Sequence, residues 1–468
     1  MRKCPIYILF FTLLLPEMSF GQQLLSLSDC IKAGKRNSLA YQQTTIDRQL
    51  ERAKLEFAQK DVLPTIEAFA SPTLSLGRSI DPTTNQFASK GFLNNVLGLS
   101  FSQILYAGGR KNTTIQQQSV QEKIAGLQIE KIENQLIVQI IQSYFQILLT
   151  KAVIKQTEKQ LAFILENRAK SSQADLLYLQ YQAQAANKEL ALIQAKNELR
   201  IQKITLGNLI GAPDPEFFDI QDLTNEQLNK PIQTQIDPRI FQQYYAWHPD
   251  YKISQMRQKN QSLQRDAIVA SRFPTVSFSA GFTLPYSSLY QQIESSQLTR
   301  IDTIPVFFRG AIQPALNPVF DFTYRTIPML SQWSQLANAY IGFQIRIPIM
   351  SGNSHKLQLK QSQHDILVTQ LQAQQVKNDL IKESILAQSN RQAALSQYIA
   401  TKSTFDVWQA YYQNALTSYQ NNQLSAKDFQ DIIQNYLQTE LAVVKAQYEY
   451  FLWQELMPYY ETGRFNYR

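Results

Sequence analysis

Glycine, cysteine and charge are all scarce in this chain of 468 residues, which has 15 Gly, two Cys and 18% charged residues. Each shortage excludes something. Few glycines and long proline-free stretches argue against a loop-rich enzyme or a dinucleotide-binding fold, whose chains must turn often. Two cysteines cannot build a disulfide framework. The charged fraction is below the ~25% usual for globular proteins, yet 44% hydrophobic and 11% aromatic content is too apolar for a disordered tail. The net charge is +8, but no cluster of Lys and Arg interleaved with aromatics marks a nucleic-acid surface. Beyond the N-terminus no run of about 18 apolar residues offers a spanning helix. Glutamine is present in excess instead, at 61 residues.

Arg2 and Lys3, the apolar run from Ile6 to Leu15, and the small residues Ser19 and Gly21 form the three parts of a secretory signal, expected over residues 1–21. The apolar run is shorter than the ~20 residues of a spanning helix. Cleavage removes Cys4 and leaves Cys30 as a lone thiol with no nearby base. His248, His355 and His364 are scattered without metal-ligand spacing and read as surface residues, so neither a metal, a cofactor nor an enzyme activity is expected.

The chain repeats itself. Val62-Leu63-Pro64-Thr65-Ile66 is answered about 210 residues later by Arg272-Phe273-Pro274-Thr275-Val276, and Asn37-Ser38-Leu39 by His248-Pro249-Asp250. Leu105-Tyr106-Ala107-Gly108-Gly109 lines up with Ile349-Met350-Ser351-Gly352-Asn353, and Ser172-Gln173-Ala174-Asp175 with Ser425-Ala426-Lys427-Asp428. The halves are residues 22–235 and 236–468, with a junction at 211–238.

Each half reads as a helix, two strands and two long helices. The first helices, 28–61 and 249–272, are each stopped by an apolar-Pro pair, because proline disfavours a helical residue before it. Hairpins are expected over 63–107 and 274–350, the second with a long external loop at 287–335. In the strands Val276, Phe278, Ala280, Phe282 and Leu284 alternate with Ser277, Ser279, Gly281 and Thr283, and Ile341, Phe343, Ile345 and Ile347 with Gly342, Gln344 and Arg346. Ile66, Ala68, Ala70 and Leu74, then Leu97, Leu99 and Phe101, repeat the pattern in the first half. Period two gives each strand one apolar and one polar face. Four strands offer no second sheet to cover that apolar face, whereas in an outer membrane it meets lipid while the polar face meets a lumen. They cannot close a barrel alone, so copies must remove the edges. Long helices are expected over 110–169, 172–209, 354–420 and 425–459, with Gln, Asn, Ser and Thr on their polar faces, as in Gln116-Gln117-Gln118. Neutral amides solvate a wall without a strong field, which suits a water-filled passage.

These landmarks, in this order over the whole mature chain, resemble the TolC-type outer-membrane factors, the exit ducts of tripartite efflux pumps and type I secretion systems. The resemblance implies an α+β membrane protein built from two tandem repeats. Each chain of a homotrimer would give four strands to an outer-membrane β-barrel, continued into the periplasm by a long α-helical barrel. It also implies a periplasmic adaptor and an inner-membrane transporter as partners. Pro64, Pro274, Gly108, Gly109 and Gly352 fall at its strand–helix turns, and Asn353, where a second glycine is usual, still permits a left-handed backbone. At the periplasmic entrance Asp428 and Asp431 occupy the positions of an aspartate ring, and Asp175 and Tyr419 match positions that hold the entrance closed. The arginine partner in that lock falls on Leu424. Ser172 and Ser425 also read as helix N-caps, so Asp428 has a competing structural role in a capping-box-like start. The rival functions are a periplasmic helical scaffold or adaptor, which should lack four amphipathic strands, and a passive porin, which has no use for so much helix.

Overall fold

The computed structural model describes residues 23–61, 63–81, 85–170, 176–212, 214, 218–223, 244–350, 352–421 and 423–465. The expected signal peptide, Ser172, Asp175 and most of the 211–238 junction lie outside the described residues. In chain order the elements are β1 (Gln23–Leu25), α1 (Leu27–Asn37), α2 (Leu39–Lys60), β2 (Thr65–Ser75), β3 (Ser79–Asp81), β4 (Gln86–Ala88), β5 (Phe92–Ala107), α3 (Arg110–Lys170), α4 (Leu176–Ile210) and β6 (Phe218–Ile220). The second half supplies α5 (Pro249–Ala270), β7 (Thr275–Ser287), β8 (Gln291–Phe308), β9 (Ala311–Thr326), α6 (Met329–Leu336), β10 (Asn338–Arg346), α7 (Ser354–Gln420) and α8 (Ala426–Thr462).

The repeat is visible in the helices that precede each sheet segment. The single helix expected over 28–61 is two, because Ser38 takes ψ 118° and ends α1. Residue 248 interrupts the second half in the same way, after a helical turn at 244–247. Beyond these breaks α2 and α5 each run for 22 residues, their ends 210 residues apart. Ser38 Oγ accepts the Tyr41 N–H at 3.4 Å, and His248 Nδ1 accepts the Asp250 N–H at 3.1 Å, so each break also caps the helix that follows.

The chain divides into two compact units. One comprises the described residues of Arg52–Ser119 and Asn260–Asp365 and contains an antiparallel sheet of order β10-β7-β5-β2. Its register assembles the period-two pattern into rows: Ile66, Phe101, Ala280 and Ile341 lie side by side, as do Ala68, Leu99, Phe282 and Ala339. Directly paired residues share a face, so the apolar face is continuous across all four strands. Ile66, Leu99, Phe282, Ile341, Phe343 and Ile345 on it are exposed. The opposite face carries the rows Thr65, Ser102, Ser279, Gly342 and Glu67, Ser100, Gly281, Tyr340. Strands β2 and β10 are edges, each paired on one side only. The segment 287–335, which reads as loop in sequence, holds a two-stranded hairpin, β8–β9, followed by α6.

The other unit comprises the described residues of Met1–Glu51, Val120–Lys259 and Ile366–Arg468. Its core is the double stripe of α3, where Leu136, Ile137, Ile140, Ile141, Tyr144, Phe145 and Leu148 are buried together with Cys30, Ile31, Leu206 and Ile210. By composition α3 has a stretch apolar enough to cross a membrane, but that stretch packs in this core. Short strands β1 and β6 pair in parallel beside it. Tyr144 donates its hydroxyl to the Gln221 carbonyl at 2.5 Å, and Asp219 pairs with Lys151 and Lys203 at 2.8 and 3.1 Å. Burial opposes ionisation of Asp219, but the two ammonium groups and the Ile220 N–H overcome it and hold the carboxyl below its ordinary range.

Candidate functional site

The α7–α8 turn is where the resemblance places the entrance residues. Helix α7 ends at Gln420, and its last carbonyls are met by the backbone bonds from Asn421 to Thr417 and from Gln423 to Ser418. Ser425 caps α8 in an extended conformation, its Oγ accepting the Asp428 N–H at 3.1 Å and donating to Asp428 Oδ2 at 2.6 Å. Asp428 therefore has a structural task in the first turn, where the helix dipole favours a carboxylate. Asp431 lies one turn on, and its side chain takes no part in the cap. Both are exposed, and among the described residues neither has an ion-pair partner.

Around these two aspartates the helix turns its buried side inward. Phe429, Ile432 and Ile433 pack with Ala415, and Leu424, at the position of the family's arginine, joins this apolar cluster with Phe163. Gln430, 5% exposed, donates to Gln184 Oε1 of α4 at 2.8 Å. Gln156 of α3 donates to the Leu437 carbonyl at 2.7 Å, and Lys159 pairs with Glu440 at 2.8 Å. Both helical hairpins are thus joined near the turn. Tyr419 sits between them, its ring stacked on Phe429 at 4.5 Å. Glu166, one turn back, holds the Lys170 ammonium at the end of α3 above its ordinary range, with a smaller contribution from Tyr419.

Tyr419 belongs to a larger arrangement that the sequence reading missed. Tyr398, Phe405, Tyr412 and Tyr419 recur every seven residues on α7, as do Phe429, Tyr436 and, two heptads on, Tyr450 on α8. Tyr412 stacks on Phe429 at 6.2 Å and Tyr436 at 4.7 Å, Tyr436 on Phe405 at 5.6 Å, and Tyr398 on Tyr450 at 6.1 Å. Seven-residue spacing on both helices is the signal that finds it.

At the strand–helix turns, Gly108 and Gly109 have φ of 62° and 83°, and a Cβ on Gly108 would lie 2.6 Å from the Ala270 carbonyl. Gly352 also has positive φ, at 61°, but Asn353 does not, so the left-handed backbone allowed for Asn353 is not used. Pro64 and Pro274 stand just before β2 and β7 and end the helical runs.

The histidines need a correction, because only His364 is exposed. His355 Nε2 meets the Ile268 carbonyl at 3.0 Å, and His248 is buried with Nε2 2.6 Å from the Tyr459 hydroxyl. Burial pushes the His248 ring down to about 4 and the Cys30 thiol up to about 12, so each stays neutral at pH 7. No group of three or more His, Cys, Asp and Glu stands close enough to hold a metal among the described residues. A cavity of about 90 Å3 beside Tyr144 and Phe451 is well below the ~300–1,000 Å3 of a ligand pocket.

Neither a family model nor a curated protein matches the chain. Solved structures do. A CusC structure described for transmembrane channel formation aligns over 97% of this chain and 96% of its own at 16% identity, with a TM-score of 0.72. The CmeC outer membrane channel of Campylobacter jejuni aligns over 93% and 85% at 14% identity with a TM-score of 0.73. The outer membrane protein VceC of Vibrio cholerae aligns over 94% and 97% at 15% identity with a TM-score of 0.69. Such low identity speaks for the fold, and over nearly its whole length this chain has the fold of these outer-membrane channels, the one expected of a TolC-type outer-membrane factor.

Proposed function

We propose that the chain is the exit duct of a tripartite efflux or type I secretion system, a homotrimer set in the outer membrane and extending into the periplasm. The observation that carries this reading is the four-stranded sheet with a continuous exposed apolar face, a face rich in Ser, Thr and Gly, and two open edges. Lipid satisfies the first face and a water-filled lumen the second. Other copies of the chain satisfy the edges. Three copies, a periplasmic adaptor and an inner-membrane transporter follow from the resemblance, which the shared fold supports. In this reading Asp428 and Asp431 from each copy gather at the periplasmic entrance. Asp431, free of the cap, bears on passing cations, while Tyr419 and Asp175, which match the positions that hold the family's entrance closed, keep its shape. The reading as a duct rather than an enzyme accords with the fold of its structural neighbours.

The test is made in the native host. The chain should sediment with outer membranes and migrate on unheated gels at three times its monomer mass, and deletion of its gene should raise sensitivity to toxic compounds or stop export of a protein. Unchanged sensitivity and unchanged export in the deletion strain would count against the duct. Fractionation with soluble periplasm would favour the scaffold.

A further inference from the structure

The β8–β9 hairpin has no place in a plain duct. Antiparallel alternation sends both connections of the sheet, β2 to β5 and β7 to β10, out at the end remote from the helices, and the hairpin rises from the second of these. Its root is fixed. Gln332, fully buried, accepts the Ser287 N–H at 2.9 Å and donates to the Ser287 and Ile327 carbonyls at 2.9 and 2.7 Å, while Ser287 Oγ donates to buried Asp81 at 2.8 Å. Its tip is a two-residue turn, Arg309-Gly310, both with positive φ, as a hairpin twist requires.

Above that root the strands pair only with each other. The rows Phe307/Ile312, Pro305/Pro314, Thr303/Leu316 and Ile301/Pro318 share one face, apolar but for Thr303, and all are exposed. Phe307, Ile312 and Leu316 are each more than two-thirds exposed, at 73%, 72% and 74%. An isolated two-stranded hairpin is marginal in water, and an apolar patch of this kind marks an interaction surface. Counting from the turn, Pro305, Pro314 and Pro318 fall on the non-hydrogen-bonded pairs, where a backbone N–H would point outward. They therefore remove no bond within the hairpin and strip donors from both outer edges, which blocks strand addition and leaves the face as the means of contact.

We propose that the β8–β9 hairpins of the copies that share one barrel pack against one another through this face and close the outer mouth. The proposal rests on the reading of the chain as a ring of copies. Two observations favour copies of the chain as the occupant. The hairpin leads through the eight-residue α6 into β10, the edge strand that a neighbouring copy must pair, so each copy's hairpin stands beside a seam. It carries Glu294, Asp302 and Asp321 against Arg300, Arg309 and Arg325, so its net charge is zero and like hairpins do not repel. Those same charges disfavour immersion in hydrocarbon.

The test uses the full-length protein purified as an oligomer and in whole cells. Leu316→Cys, on the apolar face, should cross-link between copies with a short bis-maleimide, and Gln313→Cys, on the opposite face, should not. Ile312→Asp combined with Leu316→Asp should leave the oligomer on unheated gels intact and raise the open-channel current in planar bilayers several-fold. An intact oligomer with no cross-link at 316, or with unchanged current, overturns the proposal while leaving the ring in place. Absence of any oligomer in the unsubstituted protein overturns both. Protection of Leu316→Cys from maleimide in cells but not in the purified oligomer assigns the face to another surface component, and likewise overturns it.

Discussion

His248 replaces a surface histidine of the sequence reading with a buried one that titrates against the fold. Its Nδ1 accepts the Asp250 N–H, so the ring proton resides on Nε2, which donates to Tyr459. A second proton would set N–H against N–H at Nδ1. Burial is the main cause of the fall to about 4, Asp250 opposes it, and Lys131 and Lys252 add to it. The unfolded ring takes its proton near pH 6.5, before the folded one, so stability is full above that value and is lost as pH falls toward 4. The span corresponds to ~3 kcal/mol at most. Glu383, nearby, is raised by burial and works in the opposite sense, so the informative comparison is between variants over one pH range. His248→Asn keeps an acceptor for the cap and is expected to flatten the loss of thermal stability between pH 6.5 and 4.5 relative to the parent. An unchanged pH slope would refute the assignment. Two other residues show where the alternation rule stops. Phe69 and Tyr340 are apolar rings on the polar face, and the structure explains both: each lies over a glycine on the paired strand, Gly98 and Gly281. A Cβ on Gly98 would meet the Phe69 ring at 2.7 Å and the immovable Phe282 carbonyl at 2.9 Å, while one on Gly342 would have only Ser279 Oγ at 3.9 Å. Gly98→Ala should therefore lower stability by ~1–3 kcal/mol, and Gly342→Ala should be neutral or slightly stabilising. Melting temperatures of the two variants in detergent decide it.

At the scale of elements, period two was enough to find the four strands of the sheet and to assign their faces, because a half-exposed strand writes its environment into every second residue. The β8–β9 hairpin was not legible for a physical reason. Pro305, Pro314 and Pro318 look like breakers, and only pairing shows that they sit where no ladder bond is lost. The break at Ser38 was equally hidden, since serine caps as readily as it continues a helix. At the α7–α8 turn, the cap of Ser425 with Asp428 is legible in the sequence, whereas the heptad of aromatics on α7 and α8 emerges only when both helices are read at seven-residue spacing. That ladder makes its own prediction. Tyr412 stacks on two rings at once, so Tyr412→Ala should cost ~2–4 kcal/mol, and Tyr412→Phe, which keeps the ring, should cost little. The loss belongs to the turn end of the α7–α8 hairpin. Faster hydrogen exchange is expected from about residue 405 to 436, with unchanged exchange in β2, β5, β7 and β10. Uniform acceleration across the chain would show that the ladder is no local lock.

For the whole molecule, the sheet edges are not the only surfaces that a single chain leaves unfinished. On α7 the exposed residues Leu357, Leu367, Leu371, Ile385 and Ile399 fall on a and d positions of one heptad frame, and on α2 Leu39, Ile46, Leu50 and Phe57 do the same. Helices whose a/d seams face water are stable only if something covers the seam, and Gln and Asn on the remaining positions solvate the rest. In the proposed ring of copies, the glutamine excess serves the wetted side of these helices, and the exposed leucines and isoleucines are the side that another copy covers. Two acids in the α7 seam test this separately from the barrel. Leu371 is 71% and Ile385 53% exposed in one chain, so Leu371→Asp with Ile385→Asp should leave the folded monomer intact by circular dichroism. If the seam is buried between copies, each acid is desolvated on assembly, which is unfavourable by several kcal/mol per copy unless it is protonated. The unheated oligomer band should then be lost or dissociate at a much lower temperature, and lowering the pH toward that of a protonated carboxyl should partly restore it. An oligomer of parental heat resistance would show that the seam faces solvent in the assembly and that the edges β2 and β10 alone hold the copies together.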